Sequence, residues 1–272
     1  MPSKNRLIVV LLYVFTAAVC IYLLAPLVMI VLTSLSTVSY GKFPPQGLSL
    51  KWYAHLGTQT QFAQALWNSI IASAGATLLA LVTGTLAALA IQRYSFPGSN
   101  LLRSFFMSPM VVPKITLGVA YLILFSKMKI AGGLFALILG EAVTVLPFVL
   151  SIVGSTLANV KRVHEEAAAD LGAGPLRVFF TVTLPQMKLG LIMSAAISFV
   201  FTFDQVETAL LILRQDSYTL PIQLFLYMEK WQDPTIAVVS VVFIVLALAV
   251  FFGLKLVLRS APGMSRIFGG KE

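Results

Sequence analysis

Six separate stretches of this 272-residue chain are apolar for long enough to cross a lipid bilayer as helices. A crossing helix needs about 20 mostly apolar residues, because the hydrocarbon core is about 30 Å thick and a helix rises about 1.5 Å per residue. Windows 7–32, 65–91, 105–126, 132–157, 189–213 and 235–258 meet that length, and none is long enough to cross twice. The expected class is all-α: a single polytopic domain over residues 1–272, with six transmembrane helices and a protruding elbow at 158–188. Composition points the same way. With 58% hydrophobic and 11% charged residues, the chain carries about half the charge of a soluble domain, too little to wet a globule of this size. A soluble enzyme, a disordered regulator and a secreted disulfide scaffold are excluded.

The 19 Lys and Arg outnumber the 10 Asp and Glu, but they do not gather on one face as a nucleic-acid surface requires. They sit at the edges of the apolar runs, where positive charge resists export and sets orientation. With the N-terminus inside, Lys4, Arg6, Arg93, Arg103, Lys161, Arg162, Arg177, Lys188, Lys255, Arg259, Arg266 and Lys271 fall on the cytoplasmic side. Only Lys42, Lys51, Lys127, Lys129, Arg214 and Lys230 fall outside, and Lys114 lies within the membrane. Both termini are expected to be cytoplasmic. The first run is too long for a signal-peptide core, and Val19 before Cys20 spoils a lipoprotein cleavage site, so it reads as an uncleaved anchor. One cysteine and two distant histidines, His55 and His164, leave no disulfide and no metal site. No catalytic constellation is present.

The expected outer loops are 33–64, containing Pro44-Pro45, and 214–234. Trp52, Tyr53, Trp67, Tyr218 and Trp231 lie where an outer aromatic belt would collect. Asp233-Pro234 supplies an N-cap and a first-turn proline for the last span.

The 158–188 segment is too ordered in pattern for a linker. A helix is expected from Val160 to Leu171, with Lys161/Glu165 and Arg162/Glu166 pairs at i,i+4 spacing and Ala167-Ala168-Ala169 adding propensity. Gly172 and Gly174-Pro175 stop it. A second short helix is expected over 176–182, with Leu184-Pro185 opening the fifth span. Two helices joined by a glycine corner make a docking elbow.

These residues resemble a known family. Glu166-Ala167-Ala168, Gly172 four residues on, and Leu184-Pro185 preceded by Val182 reproduce the EAA motif of permease subunits in binding-protein-dependent ABC importers; the usual form has Ile in place of Val182. Trp67-Asn68-Ser69 and Phe203-Asp204 are most similar to the spermidine/putrescine-type branch. The resemblance implies a bacterial inner-membrane location and an ATPase-coupling role for Glu166, Ala167, Ala168, Gly172, Leu184 and Pro185. It implies as partners a second, related permease subunit, two cytoplasmic ATPase subunits and an extracytoplasmic solute-binding protein. ATP and Mg would then sit on the partner ATPase, with no cofactor in this chain. The sequence itself contains no GxxxxGK[ST] phosphate loop.

Ionisable residues inside a membrane are costly and mark pathways by default. Lys114, Glu141, Asp204 and Glu207 are the candidates for a substrate pathway or gate, and the acids suit a cationic amine. Lys114 is expected about 15 Å into its span, with Glu207 one turn beyond Asp204 on the same face. A structural alternative pairs Lys114 with Glu141. Pro109, Pro113 and Pro147 can kink their spans, while Gly75 and Gly84 permit close helix packing. The competing function is an ion-coupled carrier or channel using Asp204 or Glu207, in which the elbow has no purpose.

Overall fold

The computed structural model describes residues 3–38, 47–231 and 233–260. Pro44-Pro45, Lys42, Arg266 and Lys271 lie outside the described residues. Helix dominates because a lipid-facing backbone must satisfy its own N–H and C=O groups. The chain opens with α1 (Ser3–Ser34), α2 (Lys51–Thr58) and α3 (Thr60–Arg93), followed by α4 (Ser99–Met107) and a 3-10 turn at Ser108–Met110. Next come α5 (Lys114–Lys127), α6 (Leu134–Ala158), α7 (Arg162–Asp170) and α8 (Pro175–Val178). A π-turn over Phe179–Thr183 leads to α9 (Leu184–Gln186), α10 (Lys188–Phe203) and α11 (Glu207–Ile212), and α12 (Leu220–Lys230) and α13 (Thr235–Ser260) complete the chain. α1, α3 and α6 are each long and apolar enough to span a bilayer alone.

Two of the six expected spans are broken, the third at one of the prolines expected to kink it. The third window bends by 103° between Ser99–Met110 and Lys114–Lys127. Pro113 causes this: it lacks an N–H and pushes Val112 toward extended backbone, so it ends one helix and stands as N-cap of the next. The fifth window is interrupted at Asp204–Val206, between α10 and α11. Asp204 and Glu207 therefore do not follow one another on a continuous helix face. The bend that precedes α10, 72°, falls at Met187 rather than at Leu184-Pro185. Pro147 breaks nothing, and α6 runs through it.

The described chain forms two packed units, Gln61–Leu226 and the flanking segments up to Thr60 and from Tyr227. In the central unit α6 is the axis. Val145, Val149, Val153 and Leu157 repeat every four residues on one face, all fully buried, against Ala76, Ala80, Ala87 and Ala88 of α3. Gly84 lets the two backbones approach, since a Cβ there would come within 2.7 Å of Val149. Small-residue packing of this kind is how membrane helices associate when lipid removes the hydrophobic drive. Asn68 and Ser69, both buried, tie the other end of α3 to the segment before α12. The Asn68 amide donates to the Tyr218 carbonyl at 3.0 Å, and the Ser69 hydroxyl accepts the Leu220 N–H at 2.8 Å.

In the flanking unit α13 packs along α1, and α2 packs on α13. Trp52 Nε1 donates to the Ser36 carbonyl at 2.9 Å and Tyr53 shares a 2.9 Å hydrogen bond with the Ser34 hydroxyl, so these two aromatics fasten α2 to the end of α1. Asp233 begins α13 as its sequence promises, taking the Thr235 N–H at 2.8 Å and the Tyr227 hydroxyl at 2.7 Å. Burial alone would raise this carboxyl, but the donors from Thr235 and Tyr227 outweigh it and hold its pKa below the ordinary value.

Candidate functional site

The elbow is built from a helix stop of defined geometry. After α7 the Gly172 N–H bonds to the Ala169 carbonyl at 2.8 Å and the Ala173 N–H to the Ala168 carbonyl at 3.1 Å. These crossed bonds make a Schellman cap, which needs a left-handed residue between them. Gly172 supplies it with φ +87°. The glycine of the motif thus has a local physical cause. Gly174 then caps α8, whose first residue is Pro175.

The expected i,i+4 pairs within α7 do not form. Glu165 turns away from Lys161 and accepts from Arg93 Nη2 at 3.0 Å, the only ion pair among the described residues, and from the Thr183 hydroxyl at 2.8 Å. Arg162 turns away from Glu166 and donates to the Gln92 and Arg93 carbonyls at 3.1 and 3.0 Å. Those carbonyls end α3, where a cation also complements the helix dipole. Arg93 completes the clamp through the Val160 carbonyl at 3.1 Å. The elbow is therefore bolted to α3 by Arg93 and by Glu165 and Arg162, two residues that adjacent-turn pairing rules on α7 alone misassign.

Glu166 is left exposed, with no hydrogen bond or ion pair among the described residues. Ala167 is exposed beside it and Ala168 half-buried; further on, Leu184 is half-buried and Pro185 exposed. Large apolar side chains stand out around the corner: Val163, Leu176, Phe180 and, at 90% exposure, Leu171. A charged and apolar surface on a rigid mount is suited to docking.

The second candidate group divides. Lys114 and Asp204 line one open cavity of about 440 Å³, together with Phe201, Gln205 and small or aliphatic residues of α10. Lys114 Nζ donates to Gln205 Oε1 at 2.9 Å and stands 4.4 Å from the centre of the Phe201 ring. Lys114 and Glu141 form no ion pair. Glu141 is 2% exposed and accepts from the Thr208 hydroxyl, binding α6 to α11. Glu207 is exposed as the first residue of α11 and lies outside the lining of that cavity. Gln205 and Phe201 escaped a search based on charge. Their signal in the sequence is faint, a polar residue beside Asp204 and an aromatic one helical turn before it.

A model of the binding-protein-dependent transport system inner membrane component matches residues 80–261. The spermidine/putrescine transport system permease protein PotC of Escherichia coli K12 is 25% identical over 245 residues, covering 90% of this chain and 92% of that protein. The putrescine transport system permease protein PotI of the same organism is 30% identical over 236 residues, covering 84% and 82%. Among solved structures, a chain of a bacterial ABC transporter importing the acidic polysaccharide alginate shares the fold, with a TM-score of 0.75 at 15% identity over 96% of this chain and 98% of that one. The MetNI methionine transporter gives 0.60 at 18% identity, over 75% and 97%. With its broken apolar helices, α3–α6 axis and mounted elbow, the chain belongs to the inner-membrane components of binding-protein-dependent transport systems: it is a multi-pass permease subunit of an ABC importer, and not itself an enzyme.

Proposed function

We propose that the chain imports a small amine, a polyamine foremost, by alternating access driven by ATP hydrolysis on a separate subunit. The observation that carries the coupling is the elbow, whose Glu166, Leu171 and Phe180 are exposed while Glu165 and Arg162 fix its base to α3. An ATPase that grips the exposed side moves α3 with it, because the clamp leaves no slack between them. Both termini and the elbow then face the cytoplasm. Two ATPase subunits carrying ATP and Mg, a second and related permease subunit and an extracytoplasmic binding protein complete the machine. The amine reading is supported by the relatives named for spermidine and putrescine and by Asp204 in the cavity beside α10.

The test is uptake by proteoliposomes containing the whole complex and its binding protein. Glu166→Lys and Gly172→Asp should each abolish ATP-driven uptake while the permease still assembles. Normal uptake in both variants defeats the coupling. Uptake that persists without ATP, on an ion gradient alone, establishes the carrier mechanism in its place.

A further inference from the structure

We propose that Phe201, Gln205 and Asp204 form an alkylammonium site in the transport pathway, and that the side chain of Lys114 occupies it until a substrate ammonium takes its place. The inference rests on the amine reading and names the part of the cavity that recognises the charge.

Lys114 is the first residue of α5, directly after the N-cap Pro113. A helix N-terminus carries partial positive charge, so a cation there is disfavoured. Its own helix therefore does not hold the ammonium. What holds it is across the cavity: the Phe201 ring face at 4.4 Å and the Gln205 carbonyl oxygen at 2.9 Å. An aromatic face and a neutral acceptor are what an alkylammonium needs once it has left water.

Gln205 shows that the arrangement is committed to a cation. The residue is 2% exposed, and its Nε2 has no hydrogen-bond partner among the described residues. A buried donor left without a partner is destabilising. Rotating the amide would not help, because its N–H groups would then face the ammonium donor. The carbonyl stays outward because a cation sits on it. Asp204 lines the same cavity, is exposed to it, and forms no ion pair with Lys114. Its charge is free to draw in a second cation. Lys114 is only half-buried, on a flexible four-carbon stem, so its ammonium can swing out as another enters.

The probe is n-butylammonium chloride, titrated by calorimetry into the full transporter in nanodiscs. If Lys114 fills the site about nine-tenths of the time, removing its ammonium tightens the apparent Kd about tenfold. Lys114→Met should show that gain, and Phe201→Leu and Gln205→Leu a several-fold loss. Lys114→Gln provides the same comparison should the methionine variant fail to assemble. Equal or weaker binding in the assembled Lys114 variants overturns the proposal. Labelled putrescine uptake by the wild-type complex is measured in parallel. No uptake alongside tighter probe binding removes the amine reading and leaves the ammonium site standing. Uptake without any tightening removes the site and leaves the amine reading.

Discussion

Arg93, the last residue of α3, donates to Glu165 of α7 across 3.0 Å, joining residues 72 positions apart in sequence. The same glutamate oxygen takes the Thr183 hydroxyl at 2.8 Å, so one carboxylate ties together α3, α7 and the π-turn that follows α8. Glu165 and Glu166 are neighbours in sequence with opposite assignments: the first holds the elbow, the second is displayed by it.

That division is measurable. Glu165→Ala should lower the Tm of the purified complex, since a hydrogen-bonded charge removed from a partly buried pair costs about 1.5–3 kcal/mol. It should lower uptake too. Glu166→Ala should leave the Tm within error while reducing ATP-driven uptake. Equal Tm losses in the two variants would put Glu166 in the clamp.

Gly172→Ala meets no steric obstacle, for nothing lies within 4 Å of a Cβ built there. Its cost is conformational, about 1–2 kcal/mol for a left-handed L-residue. Gly172→Asn should retain more uptake than Gly172→Ala, because asparagine tolerates that backbone region better. The reverse order would mean that the corner needs smallness and not handedness.

Gly84 and Val149 test the helix packing. Gly84→Ala places a methyl within 2.7 Å of Val149, and overpacking of this kind costs about 1–3 kcal/mol. Val149→Ala in the same chain should recover much of the lost thermal stability. Additive losses in the double variant would refute the contact.

Asp233 predicts a pH dependence with a fixed sign. Its folded pKa is lowered, so its stabilisation of the α13 start is complete above the unfolded carboxyl value of about 3.9 and is lost as pH falls through the lower folded value. Hydrogen exchange at the Thr235 amide, corrected for intrinsic rate, should accelerate in wild type as pH drops below about 4. In Asp233→Ala it should be faster already at neutral pH and lack that acid step.

Fold class was legible because apolar length is a one-dimensional property, and the windows matched helices wherever a span is a single rod, as in α3 and α6. The two broken windows were not equally readable. Pro113 announces the first break through its missing N–H. No glycine or proline marks the break at Asp204–Val206; Lys114 holds Gln205 within it and Glu141 holds Thr208 just beyond it. The elbow shows the same contrast. Gly172 and Asp233 act through backbone groups a few residues away, so their roles could be read locally. The partners of Glu165, Arg162 and Lys114 lie on other segments of the chain, far off in sequence.

What the sequence determined by itself is therefore the membrane setting, the helical class, the glycine corner and the cap of α13, all consequences of hydration and of hydrogen bonds spanning a few residues. Tertiary structure alone decided which charges meet. It turned the expected pairs along α7 into a clamp on α3, and separated Lys114 from Glu141. It also set Lys114 on a neutral amide and an aromatic ring. The physical reason is that a charged side chain removed from water takes the best partner within reach in space. Helix packing, set here by contacts as close as Gly84 against Val149, fixes where that reach falls.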